Sequence, residues 1–188
     1  MKTRMILVAA PSGAGKSSFV DRAITEISLL EDVITYTTRP MRHHEKQGQP
    51  YHFISNDEFK TKVDNNFFIE FAKVHTNYYG TSKTSIELAW SQGKVVIMDL
   101  DVQGVRTFRK KIPEGLKTIF ILPPSLEELK RRIIKRDRIE PVDLDIRMSN
   151  AAIEMSEAVQ FDYKVVNDDF EQSYNKFKKI IEELLRLR

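Results

Sequence analysis

The stretch Met5-Ile-Leu-Val-Ala-Ala-Pro-Ser-Gly-Ala-Gly-Lys-Ser-Ser18 decides how the whole chain is read. Met5 to Ala10 is an unbroken apolar run and reads as a buried strand. Pro11 ends it, Gly13 and Gly15 carry the backbone round, and a helix resumes from about Lys16. Strand, glycine loop and helix N-terminus together make a phosphate cradle. Loop N–H groups and the positive end of the helix dipole converge where an anion can sit. Lys16 adds a point charge for the β- and γ-phosphates of a nucleoside triphosphate, and the Ser17 hydroxyl can ligate Mg²⁺. The strict pattern of such loops has glycine where this chain has Ala10, which speaks against a positive φ at the loop's first residue.

Bulk properties set the frame. A chain of 188 residues buries one sizeable core with room for an insertion, and is short for two independent domains. Hydrophobic residues at 41% and charged residues at 30% are ordinary for a globular protein. With 30 Lys+Arg against 27 Asp+Glu, the net charge of +3 suits small anionic ligands and calls for no nucleic-acid partner. Cysteine is absent, so disulfide and thiol chemistry are excluded, and a cytoplasmic location is expected. Residues 5–10 are too short an apolar run for a signal peptide or membrane span and flow directly into the loop.

After the loop, Phe19, Ala23, Ile24 and Ile27 mark the buried side of the first helix. Residues 33–38 are β-branched and strand-like, residues 39–50 form a polar arm, and 51–53 read as a returning strand. Ser55-Asn-Asp-Glu58 is a capping box that opens a short helix with Phe59 and Val63 inward. Residues 67–74 are a further strand candidate and Asn77-Tyr-Tyr-Gly80 a turn. The parallel-sheet pattern then returns: helix 86–92, strand 95–99 ending in Asp99, helix 102–110, and strand 118–122 stopped by Pro123-Pro124. A second capping box, Ser125-Leu-Glu-Glu128, starts a helix that places six cations between Lys130 and Arg138. Helix 145–157, strand 163–166 and a closing helix bearing Tyr174, Phe177, Ile181 and Leu184 on one face complete the chain. Buried strands alternating with helices predict an α/β fold, a parallel sheet covered on both faces, with ligands at the carboxyl ends of its strands.

Several residues bear on what accepts the phosphoryl group. Thr37-Thr-Arg39-Pro-Met-Arg42 sets two planar, permanently charged guanidiniums on the polar arm, suited to a phosphate dianion. Tyr51 and Tyr79 flank the same region and can donate to that anion. Taken singly, each arginine could equally be a solvated surface charge and each tyrosine a packing residue. Glu70 lies in an apolar stretch, facing away from Ile69 and Phe71 if the strand alternates. Asp101 follows the strand-end Asp99 by two residues. An ionised carboxylate only accepts hydrogen bonds, so it pairs with N1–H and the amino group of guanine and is repelled by the bare ring nitrogen of adenine. Sites built on such pairing can reject analogues by roughly 10⁴–10⁵.

These residues together resemble the bacterial-type guanylate kinases, from about Met5 to the final helix. The landmarks are the loop from Ala10 to Ser17, Thr37-Thr-Arg-x-x-Arg42, Gly48-x-x-Tyr51-x-Phe53 and Asn77-Tyr-Tyr-Gly80. Asp99-x-Asp-x-Gln-Gly104, Ile121-Leu-Pro-Pro-Ser125 and Val165-Val-Asn-Asp-Asp169 follow in the family's order. The resemblance implies a P-loop kinase core (1–33, 85–125 and 160–188), a small mixed α/β GMP-binding insertion (34–84) and a helical lid (about 126–159), all one domain over 1–188. It implies transfer of phosphate from ATP to GMP or dGMP, with Mg²⁺, by a monomer or homodimer. Ala10, Pro11, Ser12, Gly13, Ala14, Gly15, Lys16, Ser17 and Ser18 would bind ATP, with Asn167 near the adenine. Arg39, Arg42, Tyr51 and Tyr79 would hold the GMP phosphate, and Thr35, Glu70, Thr81 and Asp101 would read guanine. Lys16, Arg39, Arg132, Arg136 and Arg147 would act on the transferring group; Ser17, and Asp99 through water, would serve the metal. Alanine is frequent in this family at the position of Ala10.

The chain departs from the family pattern at Met41-Arg-His-His-Glu45, where Pro-Arg-Pro-Gly-Glu is usual, and at Asp137, where glycine is usual. Loss of the proline and glycine should change the stiffness of the arm, and His43 and His44 read as solvated rather than metal-bound. Asp137 is expected to hold the lid arginines in a salt bridge when no nucleotide is bound. Two alternatives are a monophosphate kinase for another base, and a guanylate-kinase-like interaction module. Glu70 and Asp101 argue against the first, and the intact Lys16 and Ser17 against the second.

Overall fold

Met5–Ala9 forms the central strand, β1, and every one of its side chains is buried. The structure is a computed structural model describing residues 3–43, 45–49, 51–74, 76–138 and 140–186, so His44 lies outside the described residues. Beyond β1 come α1 (Lys16–Glu26), β2 (Leu30–Glu31), β3 (Tyr36–Thr37), β4 (His52–Phe53) and α2 (Asn56–Asp64). They are followed by β5 (Phe68–Val74), β6 (Asn77–Ser82), α3 (Lys83–Ser91), β7 (Val95–Asp99) and α4 (Val102–Lys111). The last elements are β8 (Leu116–Leu122), α5 (Leu126–Asp137), α6 (Leu144–Ser156), β9 (Tyr163–Val166) and α7 (Phe170–Arg186).

Among the described residues the strands form two sheets. The larger is ordered β2-β7-β1-β8-β9 with every neighbouring pair parallel, the expected α/β architecture. Its period of two sorts the core. Ile6 and Val8 point into the cluster beneath α1, α5 and α7, while Met5, Leu7 and Ala9 point into the one beneath α3 and α4. Phe19 of α1 anchors the first cluster, with edge contacts to Phe170, Tyr174 and Phe177 at 5.2, 6.0 and 5.3 Å. The second sheet, β4-β3-β6-β5, is mixed: β3 pairs parallel with β4, and β6 runs antiparallel to both β3 and β5.

The serine caps of both boxes form, with Ser55 Oγ accepting from Glu58 N and Ser125 Oγ from Glu128 N, each at 3.1 Å. Two expectations change. The strand expected over 33–38 is only Tyr36–Thr37, and an edge strand, Leu30–Glu31, precedes it on the large sheet. Val33 is apolar because it is buried in the core beside that edge, without a ladder of its own. The turn expected at Asn77–Gly80 is the first part of β6: Tyr78 and Tyr79 pair with Lys73 and Ala72 while their rings pack on Phe59 and Tyr51, so tertiary pairing overrides the turn propensity of Asn and Gly. No described helix is long and apolar enough to cross a membrane.

Candidate active site

The loop between β1 and α1 is shaped by its glycines. Gly13 has φ +93° and Gly15 φ +95°, whereas Ala10 is not among the described residues with positive φ. The first-position alanine therefore fits without strain, because the left-handed turns fall where no Cβ is present. A Cβ on Gly15 would also lie 2.8 Å from the Asn167 side chain. Gly15 caps α1 with no side-chain hydrogen bond and no acid stands in the first turn, so the orphan N–H groups face a cleft of about 530 Å³ unneutralised. Helices α2, α3, α4 and α5, by contrast, are capped by Ser55, Ser82, Asp101 and Ser125.

Ala10, Pro11, Ser12, Gly13, Gly15, Lys16, Ser17 and Ser18 all line this cleft. Ala14 does not. Its methyl is in the core, its N–H donates to the Pro11 carbonyl (3.0 Å), and its carbonyl accepts from Asn167 Nδ2 (2.8 Å). Ala14 thus fixes the loop's curvature, and the buried Asn167, expected beside a base, ties the loop to the end of β9. Across the cleft, β7 ends in Asp99. Ser17 Oγ donates to Asp99 Oδ2 (2.8 Å), and Lys16 Nζ lies 3.5 Å from the same oxygen while donating to the Leu100 carbonyl (3.1 Å). An alcohol and a carboxylate side by side are hard oxygen donors of the kind Mg²⁺ takes, and it typically keeps several waters besides. The described residues hold no cluster of three or more metal-ligating His, Cys, Asp or Glu, so a cage of protein ligands is not what this site offers.

The small sheet builds the second half. Thr37 Oγ1 donates to the Tyr78 carbonyl (3.0 Å) and accepts from Arg39 N (3.1 Å), fixing where the polar arm leaves β3. Arg39 then stands over Tyr51 and Phe53, 5.5 and 5.4 Å from their ring centres, and Tyr51 meets Tyr79 edge-on at 5.7 Å. Glu45 organises both arginines: it accepts from Arg39 Nη2 at 2.7 Å and from the Arg42 backbone N–H at 2.8 Å. The Arg39 hydrogen bond holds the Glu45 carboxyl far down, at about 2. The Arg42 side chain is exposed. Burial raises the Tyr51 phenol, with Tyr79 and then Asp99 adding to the shift, so the acid of the loop side is felt at the acceptor side.

Glu70 is only 7% exposed, and Oε1 accepts from the fully buried Thr81 hydroxyl at 3.2 Å. Burial raises its pKa, Asp101 adds to the rise, and the Thr81 hydrogen bond and Lys111 oppose it. Asp101 caps α4 through Oδ1, accepting from Gly104 N at 2.6 Å, and lines the cleft beside the loop. Thr35 is half-buried next to β3; its carbonyl accepts from His52 N, and its hydroxyl makes none of the site's hydrogen bonds.

Of Arg132, Arg136 and Arg147, the arginines of α5 and α6 expected to act on the transferring group, Arg136 alone lines the cleft. Arg132 is turned the other way: it binds Glu128 and donates to the carbonyls of Asn167 and Asp168, at 2.9 and 3.1 Å, pinning α5 to the end of β9. Those carbonyls lie just beyond the strand and have no ladder partner there, which makes them ready acceptors for a guanidinium. Asp137 bridges the remaining two, 2.7 Å from Arg136 Nε and 3.1 Å from Arg147 Nη1, the salt bridge expected of it. Glu45 and Glu154 were not singled out by sequence pattern. Glu154 lines the cleft from α6, its carboxyl raised by burial and by Asp101. The opposite charge of Arg39 six residues away and the retained glutamate of the arm pattern pointed to Glu45, and nothing in the helical periodicity of α6 marked Glu154.

A parallel sheet whose central strand runs through a glycine loop into an uncapped helix, faced by a strand-end carboxylate, defines a P-loop nucleotide-binding protein. The arginine–tyrosine cluster on the small sheet, a second anion-binding set beside the first, makes it a phosphotransferase of the nucleoside monophosphate kinase class. A family model described as guanylate kinase matches residues 2–184. A guanylate kinase of Bdellovibrio bacteriovorus is 58% identical over 98% of this chain and 100% of its own length. One from Campylobacter jejuni strain RM1221 is 40% identical over 96% of this chain and 89% of its own. The crystal structure of guanylate kinase from Anaplasma phagocytophilum superposes with a TM-score of 0.73 at 28% identity, covering 97% of this chain and 85% of that one. The chain belongs to the guanylate kinase family, and it is an enzyme of ATP-dependent GMP phosphorylation.

Proposed function

We propose that the enzyme converts ATP and GMP to ADP and GDP with the residues brought together above, and that it also accepts dGMP, as part of cytoplasmic purine nucleotide metabolism, as a monomer or homodimer. The assigned residues read base and phosphate and none is assigned to the ribose, which supports acceptance of the deoxynucleotide. Residues 1–33, 85–125 and 160–188 serve as the core, 34–84 as the acceptor-binding insertion and 126–159 as the lid. The observation that carries the choice of base is Glu70, a buried carboxylate with one threonine hydroxyl as its partner. Its Oε2 is available for the N1–H and amino donors of guanine, with Asp101, Thr81 and Thr35 completing the set.

The loop N–H groups and Lys16 hold the donor phosphates, with Asn167 keeping the loop in shape beneath the nucleotide. Lys16 leaves the Leu100 carbonyl and Asp99 to reach the β- and γ-phosphates. Ser17, and Asp99 through water, are the residues that would hold Mg²⁺, whose bound charge neutralises the phosphate oxygens. Arg39, steadied by Glu45, together with Arg42, Tyr51 and Tyr79, fixes the acceptor phosphate in line. An oxygen of that phosphate forms the new bond to the γ-phosphorus, and the bridging bond to the β-phosphate oxygen breaks, leaving ADP. The attacking oxygen is already anionic, so no general base is required; catalysis is positioning and charge stabilisation. Arg136 and Arg147, released from Asp137, complete the neutralisation as the lid closes and expels water. Incubation with Mg²⁺, ATP and either GMP or dGMP, followed by ³¹P NMR, tests this: equal amounts of ADP and of GDP or dGDP are expected. ADP appearing with inorganic phosphate instead would refute it.

A further inference from the structure

Strand β5 carries one residue more than its partner. Phe68 pairs with Ser82 and Glu70 with Thr81, so Ile69 faces no residue of β6 and forms a β-bulge. In a regular strand Phe68 and Glu70 would share one face of the sheet. Here they do not. Phe68 stacks on Phe59 at 4.6 Å over Gly80, Ile69 packs against the core cluster that holds Met5 and Leu7, and Glu70 turns to Thr81. The bulge is therefore what turns an acid out of the aromatic face of the strand and onto Thr81, on the side from which Asp101 acts on it. The Ile69 carbonyl is taken by Lys111, whose Nζ reaches it at 2.5 Å from the C-terminal end of α4. The same helix begins at Asp101, so its two ends address the two carboxylates assigned to the base.

We propose that Lys111 is a positioning residue for guanine recognition, holding the Ile69 bulge and with it the aim of Glu70. This rests on the assignment of Glu70 as the base-reading carboxylate. Among the described residues, Asp101 and Lys111 at the two ends of α4 are the charged groups acting on Glu70, and the Thr81 hydroxyl is its hydrogen-bond partner from β6. Lys111 opposes the upward push of burial on the Glu70 carboxyl, so losing it leaves that carboxyl harder to ionise.

The test compares Lys111→Met, Lys111→Arg and Glu70→Gln in steady-state kinetics against pH, with thermal melting as a check on folding. Lys111→Met is expected to raise the KM for GMP about tenfold, the worth of one charged hydrogen bond at the low end of its range. The KM for ATP and kcat at saturating GMP should stay as they are. Because Glu70 must be ionised to accept from guanine, the acidic rise in the KM for GMP should move to higher pH in Lys111→Met and return in Lys111→Arg. An unchanged KM and pH profile in Lys111→Met, with Glu70→Gln impaired, would overturn the role of Lys111 and leave that of Glu70. A uniform loss across kcat and both KM values with no shift in the profile would overturn it as well. Undiminished selection of GMP in Glu70→Gln would remove the base-reading assignment, and this proposal with it.

Discussion

Replacing Glu70 by glutamine keeps the length and shape of the side chain and removes its charge. Oε1 is engaged by Thr81, so Oε2 is the oxygen that would meet guanine. A hydrogen bond to a charged group is worth about 1.5–3 kcal/mol, which corresponds to roughly a 10- to 150-fold rise in the KM for GMP. The amide also presents an NH₂ where guanine offers donors, and takes away the repulsion that an ionised acid exerts on adenine N1, so the preference for GMP over AMP should narrow. Stability should move the other way. Burial raises the Glu70 pKa, so the folded state keeps a proton over a pH range where the unfolded chain has lost it. The carboxyl thus favours folding below its unfolded pKa and loses that advantage as pH rises through the folded value. At neutral pH, without nucleotide, Glu70→Gln should melt at the same or a higher temperature than the wild type, and the difference should shrink on acidification. The wild-type KM for GMP should climb on acidification from a pH above the usual carboxylate range, whereas that of the variant should stay flat. Coupled initial rates from pH 5 to 8 and thermal melts without ligand read both effects. A variant with wild-type KM and wild-type GMP-to-AMP ratio would refute the reasoning.

Lys16→Met should leave the melting temperature near that of the wild type and lower kcat by at least about 10², the usual loss when one positioned donor to developing charge is removed; rapid-quench single turnovers measure it. Asp137→Asn breaks the bridge between Arg136 and Arg147 and should lower the KM for ATP a few-fold, an effect that fades at high salt because all three side chains are partly exposed; steady-state kinetics at two ionic strengths decide it. Phe19→Ala empties the contact between α1 and α7 and should cost about 3–5 kcal/mol in urea unfolding.

The sheet was legible because its strands are long apolar runs and its helices carry capping boxes or a single apolar face. What escaped was set by tertiary pairing. Leu30–Glu31 is too short a strand to show periodicity, and it exists only because β7 offers it an edge. Asn77–Gly80 carries turn residues, yet it pairs with neighbouring strands and its tyrosines pack on Phe59 and Tyr51. At the site, the positions of Lys16, Ser17, Asp99, Arg39 and Tyr51 follow from motif and spacing. The aim of a long side chain does not: Arg132, on the same basic helix as Arg136, is held by carbonyls beyond β9. Alternation set Glu70 opposite Phe71, as the pairing has it, but could not show that Phe68 lies on the other face too, because the bulge at Ile69 shifts the register between them. Asp137 was legible, because an acid placed among six cations has little else to pair with.

The most direct test of the account is an acceptor panel at fixed Mg²⁺ and ATP, with GMP, dGMP, AMP, CMP and UMP compared by initial kcat/KM. Turnover of GMP and dGMP orders of magnitude above the other three is the predicted result. Equal or better use of AMP or a pyrimidine nucleotide would contradict it.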